Sequence, residues 1–294
     1  MTYWNFYGLV CLLLLSAIPG RAQQDYTQKV LTWRTEREAA LKAEGGWLNL
    51  AGRFTLPPGL SCFGAAKTNR VVFPSGKCPD SLGCFTVRND SVWMQLFPEV
   101  RVLADGKPCS EKPLLLHPSP APVTLQSGAL RWFIIRRGDQ FMVRLRDLEH
   151  PALQDFHGVP AFPADTTWRF PARFEPTAGK KIAIVNVLGQ TSWQDSPGCL
   201  AFDHQGNTYR LDALQEGQQL FLLFADETNG IETYGAGRFL YTDLPDASGH
   251  TTLDFNYAIN PPCAFTDFAT CPLPPAQNTL PFEVKAGEKS YGKH

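Results

Sequence analysis

The sequence holds none of the short signatures that announce common chemistries. It has no Gly-x-Ser-x-Gly elbow and no His-Glu-x-x-His helix, which removes two standard routes to hydrolysis. TAGKK (177–181) lacks the leading glycine and the Ser/Thr after lysine that a nucleotide-phosphate loop needs. GAGRFL (235–240) starts like a dinucleotide fingerprint but misses its last glycine and lies between strand-like runs. The six histidines are scattered, with no His-x-His or His-x₃-His pair, so no metal site and no cofactor is expected. Charge is nearly balanced, with 27 Lys+Arg against 28 Asp+Glu, and no basic block offers itself to nucleic acid or an anionic membrane. Beyond residue 22 no apolar run reaches the roughly 20 residues that span a bilayer. No internal repeat and no flexible linker divides the chain, and LHPSPAPV (116–123) reads as a stiff connection.

What is present begins with GLVCLLLLSAI (8–18), an apolar run too short to cross a membrane. Pro19-Gly20-Arg21-Ala22 follows, with small residues placed for cleavage after Ala22. Residues 1–22 therefore read as a secretory signal peptide, despite an n-region without Lys or Arg. Cys11 sits inside the apolar run rather than after a lipobox, which disfavours a lipoprotein. The expectation is export to the periplasm or the extracellular space, with one domain over 23–294.

That domain should be mainly β, an antiparallel sandwich or partly closed barrel with one N-terminal helix. Gly and Pro number 24 each and Phe 20, the punctuation and filling of short strands. Asp25 is placed to cap a helix over 26–43, with Tyr26, Val30, Trp33 and Leu41 on one face and Gly45-Gly46 at its end. Alternation in 140–146, 168–174 and 209–213 marks half-buried strands. The continuous runs 130–136, 181–189 and 220–225 suit central strands. Gly138-Asp139, Gly206-Asn207, Glu216-Gly217 and Asn229-Gly230 separate them as turns.

Without Cys11, seven cysteines remain. Cys62, Cys78, Cys84 and Cys109 read as two local disulfides, with three pairings open. Cys199 is left over. Cys263 and Cys271, on a proline-stiffened loop, allow a disulfide, two buried thiols, or a metal-binding or catalytic thiol.

Several polar clusters are candidates. Asp226-Glu227-Thr228-Asn229-Gly230 is an Asx-type turn before it is a calcium site. Tyr234 and Arg238 flank Gly235 and Gly237, where close approach suits either an anionic ligand or an internal pair of Arg238 with Asp254 or Asp226. Arg144 and Arg146, with Asp147 beyond them, pose the same choice, and His157 adds a titrating group. If 252–258 is a strand, Asp254 and Asn256 share one face and Phe255 and Tyr257 the other. Asn260 then precedes Pro261-Pro262, which holds it extended.

The C-terminal string also carries a resemblance. Asp254-Phe255-Asn256, Asn260-Pro261-Pro262-Cys263-Ala264-Phe265-Thr266, Cys271-Pro272-Leu273-Pro274-Pro275, Asn278 and Ala286-Gly287-Glu288 are similar to the bacterial and archaeal domain-of-unknown-function 1684 family. TYGAGRFL (233–240), RLRDLEHPALQDFHG (144–158) and GGWLNLAG (45–52) extend it over roughly 26–291. The resemblance implies buried thiols at Cys263 and Cys271, since members without export signals would carry the pair in a reducing compartment. It implies no reaction.

Two functions follow as expectations. One is a cell-envelope module binding a small polar or anionic ligand through Arg238, Tyr234, Asn256, Asn260, Cys263 and Arg144. The other is a hydrolase-like enzyme with Asp254 as general base and Arg238 or Asn256 stabilising negative charge. No nucleophile–base pair is recognisable, which favours the first.

Overall fold

The structure, a computed structural model, describes residues 19–109 and 112–292, with side chains from Gln23 onward. The apolar run of the expected signal peptide lies outside the described residues. Helix α1 (Pro19–Lys42) opens the fold. It begins seven residues before the expected start, so Asp25 sits inside it and caps nothing. Pro19 is compatible with a first helical turn, where no N–H is missed.

The first half then alternates short strands: β1 (Leu50–Leu56), β2 (Gly59–Gly64), β3 (Val71–Val72), β4 (Gly83–Arg88), β5 (Ser91–Leu96), β6 (Leu103–Ala104), β7 (Lys107–Pro108), β8 (Leu114–His117), β9 (Leu125–Ser127), β10 (Leu130–Arg137) and β11 (Gln140–Asp147). They form two sheets, ordered β1-β11-β10-β9-β6-β7 and β3-β2-β4-β5-β8. Trp132, Val143 and Leu145 from one meet Phe63, Phe85 and Met94 from the other in a shared apolar cluster. After α2 (Pro151–Gln154) come β12 (Arg169–Pro176), β13 (Lys181–Val185), β14 (Thr191–Asp195), β15 (Gly198–His204), β16 (Asn207–Glu216), β17 (Gln219–Phe224), β18 (Arg238–Asp243) and β19 (His250–Asp254).

Six of these strands, in the order β18-β17-β16-β15-β12-β19, curl into a nearly closed barrel. Its two edges approach where the Thr242 hydroxyl donates to the Thr252 carbonyl at 2.6 Å. The run LFLLFA is continuous because β17 is covered on both faces. Leu220, Leu222 and Phe224 fill the barrel, while Phe221 and Leu223 pack outside it against Ile182, Ile184 and Cys271. In β12 the alternation is as read, Phe170 and Ala172 pointing inward and Arg169 and Arg173 outward, whereas β11, read as half-buried, is buried on both faces from Phe141 to Asp147.

Three local expectations need correction. The run 181–189 is no central strand, since β13 pairs with β14 alone and turns at 186–189 around Asn186, whose side chain accepts the Leu188 and Gln190 N–H groups. The hairpin buries one face, Ile182 and Ile184, against the barrel. Strand β19 stops at Asp254, because its carboxylate takes the Asn256 N–H at 3.1 Å and starts a 3-10 turn, Phe255–Tyr257. Asp254 and Asn256 therefore do not share a strand face. Of the early cysteines, Cys62 and Cys84 are joined, facing each other across β2 and β4, whereas Cys78 and Cys109 are free thiols. Burial pushes the Cys78 thiol up to about 11 and raises that of Cys109.

Among the described residues from Phe255 onward, three 3-10 turns are the regular elements, and side-chain bonds do the rest of the holding. Asn278 is fully enclosed, and its amide bonds the Asp212 N–H and the carbonyls of Asp212 and Leu223, standing in for ladder bonds between β16 and β17. Cys263 and Cys271 form a disulfide. The 3-10 turn Pro262–Ala264 and the bridge Phe239↔Ile259 tie the loop to the barrel.

Candidate functional site

Helix α1 lies across the seam between β18 and β19, and a cleft of about 530 Å³ opens beneath it. Tyr26, Lys29 and Trp33 come from the helix, Tyr241 and Thr242 from β18, and Asp254 and Tyr257 from the end of β19. The face read as a docking surface thus serves two purposes. Val30 and Leu41 are buried, while Tyr26 and Trp33 stay half-exposed over the gap.

Asp254 is the polar centre of the cleft. Its oxygens accept the Tyr26 hydroxyl at 2.9 and 2.8 Å, and Arg169 Nε stands 3.8 Å away. The Asn256 side chain donates to the same carboxylate at 2.9 Å, and it is itself clamped by the Asp165 backbone at 2.9 and 2.8 Å. Asn256 is fully buried, so it orients Asp254 rather than meeting a ligand. Burial and the neighbouring Asp254 carboxylate hold the Tyr26 phenol well above its ordinary range, which keeps it a donor. Burial first, then Glu216, does the same for Tyr241. Trp33 meets Tyr257 edge-on at 4.8 Å. Lys29 and Arg169 balance Asp243 and Asp254, so the lining offers charge of both signs among four aromatic rings.

The other expected site residues lie elsewhere. Arg238 is fully buried, bound to Asp226 at 2.8 Å, to the Val284 carbonyl at 2.9 Å and to the Ala286 carbonyl, with its guanidinium 5.1 Å from the Phe224 ring centroid. Burial lowers its pKa, and Asp226 opposes that shift. Asp226 also accepts the Thr228 N–H at 2.9 Å and the Val284 N–H at 3.1 Å, so this segment is an Asx turn closed by Gly230 at φ 77°. Gly237 has φ 86°, and a Cβ there would strike Pro274 and the Phe224 carbonyl; the close approach is made by the protein's own chain.

Asn260 is buried, donating its N–H to Glu288 at 2.6 Å and its amide to the Lys289 carbonyl at 2.7 Å. Glu288, raised by burial, pairs with Arg37 of α1 at 3.3 Å. Tyr234 lines a separate hollow of about 360 Å³ with Ile231 and Tyr291. Cys263 is taken by its disulfide. Arg144 lies in the first half on β11, and Arg146 bonds Asn49 at 2.7 Å and the Gly46 carbonyl. His157 is exposed in a loop.

The cleft therefore gathers only Asp254 from the expected set, with Asn256 behind it. Tyr26, Trp33, Arg169 and Tyr241 were not singled out as site residues. The helical spacing of Tyr26 and Trp33 was visible, but an aromatic on a docking face ordinarily means core.

The profile of a family described as "Protein of unknown function (DUF1684)" matches residues 154–289. The chain belongs to the DUF1684 family. The DUF1684 match spans all of β12–β19 and the C-terminal segment to Lys289 but not α1, so Arg169, Tyr241 and Asp254 fall inside it and Tyr26 and Trp33 outside. Among solved structures, the chain is similar to the solution structure of an uncharacterized protein from Haloarcula marismortui. Identity is 32%, over 49% of this chain and 82% of that one, with a TM-score of 0.40. A search of curated proteins finds no match.

Proposed function

We propose that this DUF1684 protein is an exported binding module that takes a small polar ligand in the cleft beneath α1. The observation that carries the reading is the preformed opening of about 530 Å³, ringed by Tyr26, Trp33, Tyr241 and Tyr257 around an immobilised Asp254. Small-molecule sites are concave, largely aromatic or apolar, and fixed by a few polar groups. The mixed charge of the lining suits a neutral, hydroxyl-rich or zwitterionic compound. Export rests on the apolar run before Ala22 and is compatible with two disulfides and with the lack, among the described residues, of a helix apolar enough to cross a membrane. Residues 23–294 are taken as one mainly-β unit.

The hydrolase reading is weaker. Asp254 already accepts bonds from Tyr26 and Asn256, and Arg238 is committed to Asp226 and backbone carbonyls. A base must be free to take a proton, and an oxyanion stabiliser must reach the reacting atom.

Titration of the mature protein with neutral monosaccharides and zwitterionic amino acids, followed by melting temperature and tryptophan fluorescence, tests the proposal. At least one compound should give a saturable rise in Tm with a fluorescence change that Trp33→Ala abolishes. Asp254→Asn should keep much of that affinity. No shift at millimolar concentration would sink the binding reading. Turnover that Asp254→Asn destroys while binding persists would replace it with the enzyme.

A further inference from the structure

The face of β11 that turns away from the first apolar cluster carries Met142, Arg144 and Arg146. Residues directly opposite in an antiparallel pair share a face. Arg53 of β1 stands opposite Arg144, and Arg131 and Arg137 of β10 stand opposite Arg146 and Gln140. Five arginines thus occupy one side of one sheet. Arg131 is matched by Glu44 at 3.1 Å, Arg146 by Asn49, and Arg53 reaches the Ala269 carbonyl at 3.4 Å.

Arg144 has no such partner. It is only 8% exposed, its Nε is enclosed without an acceptor, and its guanidinium rests 5.6 Å from the centroid of the Trp47 ring. Among the described residues no carboxylate pairs with it. Burial, with Arg137, Arg146 and Arg53 adding repulsion, lowers its pKa to about 10. A buried charge is ordinarily paired, and breaking this rule is costly.

The same face borders a cavity of about 570 Å³. Arg137 and Met142 form one wall; the β13–β14 hairpin supplies Asn186, Gln190 and Ser192 opposite, and Thr270 closes the end beside the disulfide. No acidic side chain lines it. An arginine fork is matched to the paired oxygens of a phosphate or carboxylate.

We propose that this cavity is an oxyanion site, in which a phosphate or carboxylate group, free or carried on a small polar molecule, is held by Arg137 on the cavity wall, with the unpaired charge of Arg144, on the same sheet face but outside the lining, adding to the attraction. The hairpin amides and hydroxyls hold the remainder of such a molecule. The site is separate from the α1 cleft and does not rest on the reading of that cleft.

The test is the melting temperature of the mature protein in phosphate, citrate or a phosphorylated sugar, against sodium chloride at equal ionic strength. The oxyanions should raise Tm saturably and the chloride should not. Arg137→Gln, an exposed position, should weaken the apparent affinity at least about tenfold, the loss of one charge-assisted contact. Arg144→Met, which removes a charge behind the wall, should weaken the shift by less than Arg137→Gln does, and Arg169→Gln, in the α1 cleft, should leave it intact. Tighter binding of the sugar phosphate than of phosphate assigns a carried group, and the reverse assigns the free ion. An equal shift in chloride, an unaltered response in Arg137→Gln, or loss of the response in Arg169→Gln overturns the proposal. Should Arg144→Met fail to fold, the Arg137→Gln titration decides alone.

Discussion

Arg238 and Arg144 are both withdrawn from water, one in the barrel and one on the first-half sheet, and they keep opposite company. Around Arg238 the chain has assembled Asp226, the carbonyls of Val284 and Ala286 and the Phe224 ring. Around Arg144 stand three further arginines and one indole. The first arrangement is complete, and a complete buried network fixes geometry. It pins residues 284–288 to the barrel, and with them Glu288, Asn260 and α1. The second has no acidic partner for Arg144 among the described residues. Both arginines looked alike as candidates in sequence; the tertiary structure separates the one that found an acid from the one that did not.

The largest test of this contrast is Arg238→Met. It leaves Asp226 enclosed without its cation and should cost about 3–5 kcal/mol, read as a lowered urea midpoint. If the loss is small, the ion pair is not what closes the C-terminal segment. Next, Cys263→Ser with Cys271→Ser removes the other staple of that segment. A loop this short is worth about 2–3 kcal/mol in the chain-entropy account, measured as the Tm difference between the parent protein and the double variant, both with Cys62–Cys84 intact. Arg144→Met should act in the opposite direction to Arg238→Met. In buffer free of oxyanions it should raise stability by about 1 kcal/mol, with the lost Trp47 contact subtracting from the gain. Destabilisation instead would mean that Arg144 is satisfied within the fold.

Smaller effects refine the Arg238 side. Because Glu288 has a folded pKa raised by burial, its contribution is fully present below the ordinary carboxylate range and is lost as pH rises through the raised value. Urea midpoints across acid to neutral pH should show that fall, and Glu288→Gln should flatten it. Tyr26→Phe removes one charge-assisted bond to Asp254 and should cost about 1 kcal/mol, visible as a modest drop in Tm.

Much of the architecture was legible in the residues. The alternation of Phe141, Val143 and Leu145 gave away β11, and the continuous 220–225 run marked a strand covered on both faces. Where expectations failed, a side chain had intervened. Asn186 folds 181–189 into a hairpin, and Asp254 caps its own chain and ends β19. Pairing among the early cysteines depended on strand register: Cys62 and Cys84 stand directly opposite, while Cys78 and Cys109 flank the cluster in separate loops. The cleft was less visible still. Tyr26 and Asp254 are 228 residues apart, and no local pattern reports that a helix will cross a barrel seam.

By itself the sequence determined kinship with DUF1684, a mainly antiparallel β-fold behind one helix, and the positions of most turns. The fold and the turns follow from periodicity and from Gly, Pro, Asn and Asp, which act on the backbone within a few residues of themselves; the kinship follows from the matched C-terminal string. Tertiary structure alone decided which arginine found an acid, which cysteines met, and where an opening remained. Those outcomes depend on distances between segments far apart in the chain, and on whether a buried charge is met by an opposite one, neither of which is encoded in neighbouring residues.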